Sequence, residues 1–425
     1  MDAKKFEGFY KKTVNERLDI ITNEFNLNQE EKNLISKESS LPTEIANRMV
    51  ENVIGTFGLP LGFATNFIID GKEYIIPMVV EEPSVIAAAS NSAKLSSGFI
   101  TNVDAPIMIG QLQVVRMKDI KSAKDNITNH KKELIATLAN IDPILVKFGG
   151  GPRDIKVYEL DTPRGKMLDV HLLVDVRDAM GANAINTMLE KISPKIAELT
   201  NGEVVLKIIS NLAVYRRAQA KTIYTKEKLT ESTKGKMSGE EVIERILDAY
   251  AFASNTSFRA ATHNKGIMNG IDPVVIATGN DWRAIESGAH AFTSYKGKYL
   301  PLTKYYKNEN GDLVGEIDVP LALGLVGGAT KIHPISQINL KILGVKTASE
   351  LARIIASVGL AENFASMRAI VTTGIQEGHM KLHSKNIAVQ AGAIGEEIDI
   401  VSKKMIEAKV VNQLKAEEIL KEIRK

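Results

Sequence analysis

Four stretches of the chain collect side chains able to move protons or stabilise negative charge. Glu81-Glu82-Pro83-Ser84 places two carboxylates at the start of an apolar helix. Acids in a first helical turn suit the positive end of the helix dipole. A second reading competes with that one. Pro77-Met78-Val79-Val80 leads in and Ala87-Ala88-Ala89 leads out. A glutamate here enters an apolar setting, where burial raises a carboxyl pKa and makes a general acid. Arg259-Ala260-Ala261-Thr262-His263-Asn264-Lys265-Gly266 and Gly279-Asn280-Asp281-Trp282-Arg283 are polar segments beside apolar runs. Lys265 and Asp281 on neighbouring loops form either a structural ion pair or an oxyanion donor with its orienting carboxylate. The residues alone leave both readings open. His379 and His383 are four apart and share a face of a helix. Such a pair can ligate zinc, but Met380 follows the first histidine, no acid lies between them and the chain has no cysteine. This argues against a metal and leaves a surface pair or a proton donor on a mobile segment.

Asp178-Ala179-Met180-Gly181-Ala182-Asn183 offers different chemistry, because it joins a predicted strand to a predicted helix. The free N–H groups and dipole of a helix start suit a pyrophosphate. Gly181 and Ala182 remove bulk that would keep a phosphate from the backbone. The competing reading is an ordinary cap at Asp178 with small residues at a tight crossing. Asp178 would repel a phosphate, so capping or orienting is its expected part.

These segments need elements to position them. Residues 1–50 read as helices, with Asn28 and Glu31 as a capping pair, and 62–80 as a hairpin turning at Asp70-Gly71. Residues 107–115, 156–160, 167–176 and 204–210 read as strands, and 120–138 and 181–199 as helices. The order β-α-β-β-α-β, with a short turn at 161–165, predicts a ferredoxin-like, mostly antiparallel four-stranded sheet with helices on one face. Residues 216–237 are polar and lysine-rich and read as an exposed connection. Ser238 caps a helix to about residue 252, and helices then alternate with glycine-rich loops to about 370. Thr372-Thr373-Gly374 is a candidate hinge, Gly392-Ala393-Ile394-Gly395 a second break, and two charged amphipathic helices finish the chain. The expected fold is α+β. A large, mostly helical domain (1–106 and 216–373) receives an inserted ferredoxin-like domain (107–215) and is followed by a C-terminal helical flap (374–425).

Composition narrows the function. A net charge of +3 gives no electrostatic case for a nucleic-acid or membrane partner. The cysteine-free chain excludes disulfides and thiolate chemistry and fits a reducing cytoplasm. No apolar leader is apparent at the N-terminus, and the longest apolar runs reach about half of the ~20 residues of a membrane helix.

Seven segments, in order, resemble the signatures of one family: ENVIGTFGLPLG at 51–62, EEPSVIAAAS at 81–90, DVRDAMGANAINTM at 175–188, RAATHNKGIMNGID at 259–272, GNDWRA at 279–284, GLVGGATK at 324–331 and GHMKLH at 378–383. The family is 3-hydroxy-3-methylglutaryl-coenzyme A (HMG-CoA) reductase of the soluble, prokaryotic class II type. The resemblance implies a two-step reduction of HMG-CoA to mevalonate and coenzyme A with two NADH or NADPH, and no metal. It implies Glu82 as the catalytic acid, Lys265 as the cation over the thioester oxygen, Asp281 as the carboxylate linking them and His379 as the donor to the departing thiolate. Ser84, Arg259, Thr262 and Asn269 match substrate-contacting positions. Asp178, Met180, Gly181, Ala182, Asn183 and Asn186 match the dinucleotide segment, and Asn211 a further cofactor contact. The ferredoxin-like small domain agrees with the order read from the strands. The resemblance further implies a homodimer with sites at the subunit interface and a closing C-terminal flap. The chain departs from the family where an arginine after a phenylalanine can contact coenzyme A phosphate. Here Tyr10, Lys11 and Lys12 follow Phe9. For cofactor choice, Asp142, ahead of Gly149-Gly150-Gly151, is a candidate to meet the adenosine ribose. The same enzyme oxidising mevalonate, and a non-catalytic ligand-binding protein of the same fold, are the alternatives. Retention of all four polar residues argues against the second.

Overall fold

The helices of the N-terminal region begin where side chains satisfy the unpaired N–H groups of a helix start. In the computed structural model, which describes residues 3–37, 41–295, 297–372, 374 and 384–424, α1 (Val14–Glu24) and α2 (Gln29–Ser36) each open on a reciprocal capping box. Thr13 pairs with Glu16 and Asn28 with Glu31, the latter as predicted. After α3 (Thr43–Met49), β1 (Leu61–Ile69) and β2 (Lys72–Val79) form the expected hairpin. Its turn residues Asp70 and Gly71 have φ of 49° and 79°, which a tight hairpin of this hand requires. β2 leads through a short loop into α4 (Val85–Leu95), and β3 (Ile100–Val103) follows.

β4 (Ile107–Val115), β5 (Gly151–Thr162), β6 (Gly165–Asp175) and β7 (Glu203–Ser210) build one sheet in the order β5-β6-β4-β7, every pair antiparallel. Leu112, Val170 and Val174 of the sheet share a core with Ile185, Met188 and Leu189 of α8 (Ala182–Thr200). This is the predicted β-α-β-β-α-β arrangement. The single helix expected over 120–138 is instead two, α5 (Ile120–Asn129) and α6 (Lys131–Leu138), broken at His130, whose ring Nδ1 meets the Asn126 carbonyl. Asp142 caps the short α7 (Pro143–Lys147) through the Leu145 N–H.

A third sheet overturns the reading of 216–237 as an exposed connection. β8 (Arg217–Tyr224) lies inside the order β3-β8-β10-β9, with β9 at Thr303–Lys307 and β10 at Leu313–Pro320. Its inward residues are Ala218, Ala220, Thr222 and Tyr224, all buried. Small or hydroxylated side chains on the buried face leave no apolar alternation to find. The chain then continues through α9 (Lys226–Ser232) to α10 (Gly239–Asn255), capped by Ser238 as predicted.

The core is a crossing of α11 (Ser257–Ala277) and, beyond α12 (Trp282–Ser294), α13 (Ala329–Ile332) and α14 (Pro334–Leu343), of α15 (Ala348–Val371). Glycines let these two backbones approach. A Cβ on Gly270 would sit 2.8 Å from Glu362 Cβ and 2.9 Å from the Val358 carbonyl oxygen. α15 is long and apolar enough to cross a membrane, yet most of it is buried in this core. Helices at 384–390, Glu397–Glu407 and Gln413–Ile423 pack around Ala388, Val401, Met405 and Ile419.

Gly270→Ala is expected to lower the thermal unfolding midpoint, by an overpacking cost of ~1–3 kcal/mol. Gly266→Ala is the control, since its Cβ would meet only Ser366 Oγ at 3.8 Å. It should leave the midpoint unchanged or raise it. Equal effects of the two would remove close packing as the reason for Gly270.

Candidate active site

The loop between β2 and α4 brings Glu82 to α11. Pro83 and Ser84 turn the chain there, and Ser84 takes φ 83°. A left-handed serine costs on the order of 1–3 kcal/mol and persists only where its surroundings impose it. Its hydroxyl is buried without a partner, so a ligand that satisfied it would fit. Across the loop, α11 turns Thr262, Lys265 and Asn269 to one face. Lys265 Nζ donates to Glu82 Oε2 at 3.3 Å, and Asn269 Nδ2 donates to the same oxygen at 3.4 Å. The Lys265 side chain is 63% exposed and that of Glu82 31%. Arg259, one turn earlier, is half-buried with Nη2 against Met367 Sδ, and burial lowers its pKa.

Buried polar groups fix this turn of α11. Asn264 donates to the Leu300 carbonyl and accepts from the Leu302 N–H. His263 Nε2 lies 2.6 Å from Thr303 Oγ1, and that hydroxyl donates to Asn363 Oδ1. The Thr303 hydrogen is therefore committed, and His263 must donate from Nε2. Burial, with the charge of Arg259 second, pushes the His263 pKa down to about 3 and keeps it neutral.

Glu82 is not the buried acid that the sequence suggested, because its carboxylate faces Lys265 and Asn269. The acid in an apolar setting is Glu362 of α15, which is 4% exposed with Oε2 unpartnered. Burial, and then the charge of Glu82, push its pKa well above the carboxylate range, opposed by Lys265. Glu362-Asn363 interrupts a long apolar helical run, and that interruption was the available signal.

Asp281 does not join Lys265 within the chain. It caps α12 through the N–H groups of Arg283 and Ala284, and Arg283 Nη2 lies 3.5 Å away. The two do not sit on neighbouring loops: Lys265 lies within α11, and Asp281 lies beyond its end as the cap of α12. At ~1.5 Å per residue, about 18 Å of axis separates Lys265 from the last turn of α11. Asp281 belongs to a second cluster. Asn280 Oδ1 accepts from the Gly324 N–H at 2.7 Å, and a Cβ on Gly324 would sit 2.8 Å from Met180 N. The Leu325 N–H donates to the Asp178 carbonyl, and Gly288 of α12 packs on the carbonyl of Asn211, an exposed residue.

This second cluster has the form of an anion cradle. Gly181, not Asp178, precedes α8, with φ 106°, and a Cβ there would strike Val176 Cγ1 at 2.6 Å. No side chain caps the helix and no acid lies in its first turn, so the N–H groups of Ala182 and Asn183 remain for a phosphate. The Asp178 carboxylate instead accepts from the Ala348 N–H at the start of α15. Asn186 is occupied too, its Oδ1 taking the Ile209 N–H of β7. Arg216 was not anticipated, lying in the segment misread as a connection. It is 5% exposed and donates to the carbonyls of Arg177, Ala179, Met180 and Leu323. Burial lowers its pKa to about 10, opposed by Asp178 and Asp175, and it stays cationic. His379 and His383 lie outside the described residues. Among those residues no cluster of ligating side chains forms a metal site.

The family model for hydroxymethylglutaryl-coenzyme A reductase matches residues 13–384. The chain belongs to the hydroxymethylglutaryl-coenzyme A reductase family. The 3-hydroxy-3-methylglutaryl-coenzyme A reductase of Archaeoglobus fulgidus is 51% identical over 99% of this chain and 95% of its own length. A probable reductase of Borreliella burgdorferi is 37% identical over 80% of this chain and 77% of its own. The class II reductase of Streptococcus pneumoniae, solved bound to NADPH in open conformations, superposes with a TM-score of 0.81 at 39% identity, covering 97% of this chain and all of that one. A pyrophosphate is an anion of the kind that the N–H groups at the start of α8 suit.

Arg216→Met should therefore weaken dinucleotide binding without touching it. Each buried carbonyl left unpaired costs ~1–3 kcal/mol, so the KM for the dinucleotide is expected to rise roughly tenfold or more. Initial rates at varied dinucleotide check this, and an unchanged KM would show that the loop holds its shape without the guanidinium.

Proposed function

We propose that this reductase converts HMG-CoA to mevalonate and coenzyme A with two reduced nicotinamide dinucleotides, at a site completed by a second copy of the chain. The observation that carries the reading is the separation of two half-sites along α11. One holds Glu82, Ser84, Arg259, Thr262, Lys265 and Asn269. The other holds Asp281, Asn211 and the loop from Asp178 to Asn183. Reacting atoms must come within ~3–3.5 Å, so half-sites this far apart serve one reaction only if another copy joins them. Phe258, next to Arg259 at the start of α11, is 91% exposed and supplies apolar surface for that contact.

The chain's own groups have these parts. The bound dinucleotide supplies hydride. Lys265 stabilises the negative charge that each reduction puts on the carbonyl oxygen, with Asp281 of the second copy keeping that ammonium charged. Glu82 gives the proton taken by the aldehyde oxygen, and His379 the proton taken by the thiolate. Ser84, Arg259, Thr262 and Asn269 hold the substrate. The 107–215 unit binds the dinucleotide, the larger unit (1–106 and 216–373) binds the thioester, and 374–425 closes over both. A cysteine-free enzyme of this kind suits a reducing cytoplasm.

With HMG-CoA present, loss of absorbance at the reduced nicotinamide band is expected with NADH or NADPH. No oxidation of either would overturn the reading. Lys265→Ala and Asp281→Ala should each abolish turnover with the fold intact. Mixed under subunit exchange, the two inactive variants are expected to recover about a quarter of wild-type activity, because half the dimers are hybrids with one intact site of two. No recovery would place Lys265 and Asp281 of one chain in one site.

A further inference from the structure

We infer that Glu362 is the proton store of this site, a buried carboxylic acid that lies beneath Glu82 and passes its proton to the Glu82 carboxylate. The inference rests on Glu82 being the acid of the reaction. Glu82 Oε2 takes the Lys265 and Asn269 donors, and the proton that Glu82 gives in each turnover must be renewed. A source within the protein would supply it without a solvent path.

Glu362 meets the geometric requirements. Gly270, the residue after Asn269, rests on its Cβ, so Glu362 lies under the turn that faces Glu82. It is 4% exposed, and its Oε2 has no hydrogen-bond partner. A buried structural carboxyl is ordinarily hydrogen-bonded, and an ionised one unpaired would be far costlier than a neutral one. Glu362 therefore carries its proton at rest. The charged groups that act on it, among the described residues, are Glu82 from the loop before α4 and Lys265 from α11. The other titratable groups on the packed α11 are Arg259, a cation, His263, and Asp272, whose carboxyl is raised to about 9 by burial and by Glu286. Burial pushes His263 of α11 down to about 3, and it pushes Tyr224 of β8 and Tyr305 of β9 upward.

The transfer balances simply. The O–H bond of Glu362 breaks and an O–H bond forms on Glu82. Glu82 then protonates the oxygen left negative by hydride addition. Both carboxylates are briefly charged, which their proximity disfavours, and the pair recovers one proton from solvent through Glu82 after product leaves. Lys265 beside Glu82 limits the repulsion in that interval. Glu362 touches no substrate and is a positioning residue for the proton.

The test is Glu362→Gln, which keeps shape and neutrality but cannot give up a proton, compared with Glu82→Gln and wild type in reduction of the free aldehyde. Glu362→Gln is expected to keep its KM within about twofold and lose roughly tenfold to a hundredfold in kcat. The store is protonated below its raised pKa, so its supply is lost only as pH rises through that value. Without it, the alkaline limb of the kcat profile moves to lower pH. The infrared band of the protonated Glu362 carboxyl, distinct from that of the likewise raised Asp272, should be present in wild type and in Glu82→Gln and absent in Glu362→Gln. Wild-type kcat and pH profile in Glu362→Gln, or persistence of that band, would overturn the store. Full activity in Glu82→Gln would instead overturn the role of Glu82. Should Glu362→Gln not fold, Glu362→Asp serves: a kept band with lowered kcat supports the store, and an absent band with full activity overturns it.

Discussion

One helix sets the distances on which the chemistry of this chain depends. α11 carries Arg259, Thr262, Lys265 and Asn269 near its start and delivers Asp281 just past its end. Its backbone hydrogen bonds fix the rise per residue, so the two ends cannot be brought together by side-chain adjustment. Neighbours hold it at several depths. Asn264 and His263 tie its second turn to the 300–303 segment, and Gly270 seats it against α15. Pro273 then removes the N–H that would have bonded the Asn269 carbonyl, loosening the helix just after the residues that face Glu82.

The second half-site depends on a different device, a charge placed where it has no carboxylate partner. Arg216 directs Nη1 and Nη2 to four backbone carbonyls from two loops. Both the 176–181 turn and the 321–325 segment then take their shape from one side chain. Asp178 adds a tether to α15. The sheet carrying the anion cradle is thus coupled to the helix that holds Glu362, so the two half-sites share a common frame although they do not meet within the chain.

Much of this fold was legible, and what was missed has a common cause. Capping boxes, the Asp70-Gly71 turn and the β-α-β-β-α-β order rest on interactions between residues close in sequence, where residue type and spacing decide the outcome. β8 escaped because its buried face is alanine, threonine and tyrosine, with arginine, glutamine and lysine between them. Its place as an inner strand comes from β3 and β10, far away in the chain. Arg216 and Glu362 escaped for the same reason, since an isolated charge in a sequence does not reveal what will cover it. Motif order singled out Glu82, Lys265 and Asp281 as candidate site residues. It said nothing of their mutual distances, which depend on α11 being continuous through Gly266 and Gly270.

Ser84 has a consequence of another kind. Its backbone is strained and its hydroxyl is buried unpaired, so the ligand-free protein carries a local penalty that a bound carboxyl or carbonyl group relieves. Stability and occupancy are then linked: anything that completes the hydrogen bond binds the folded form and shifts the folding equilibrium with its concentration. A ligand that completes that bond would raise the unfolding midpoint above that of the free protein. Were that ligand the substrate, the lifetime of the protein in a cell would follow its supply, and flux would also govern how much catalyst survives.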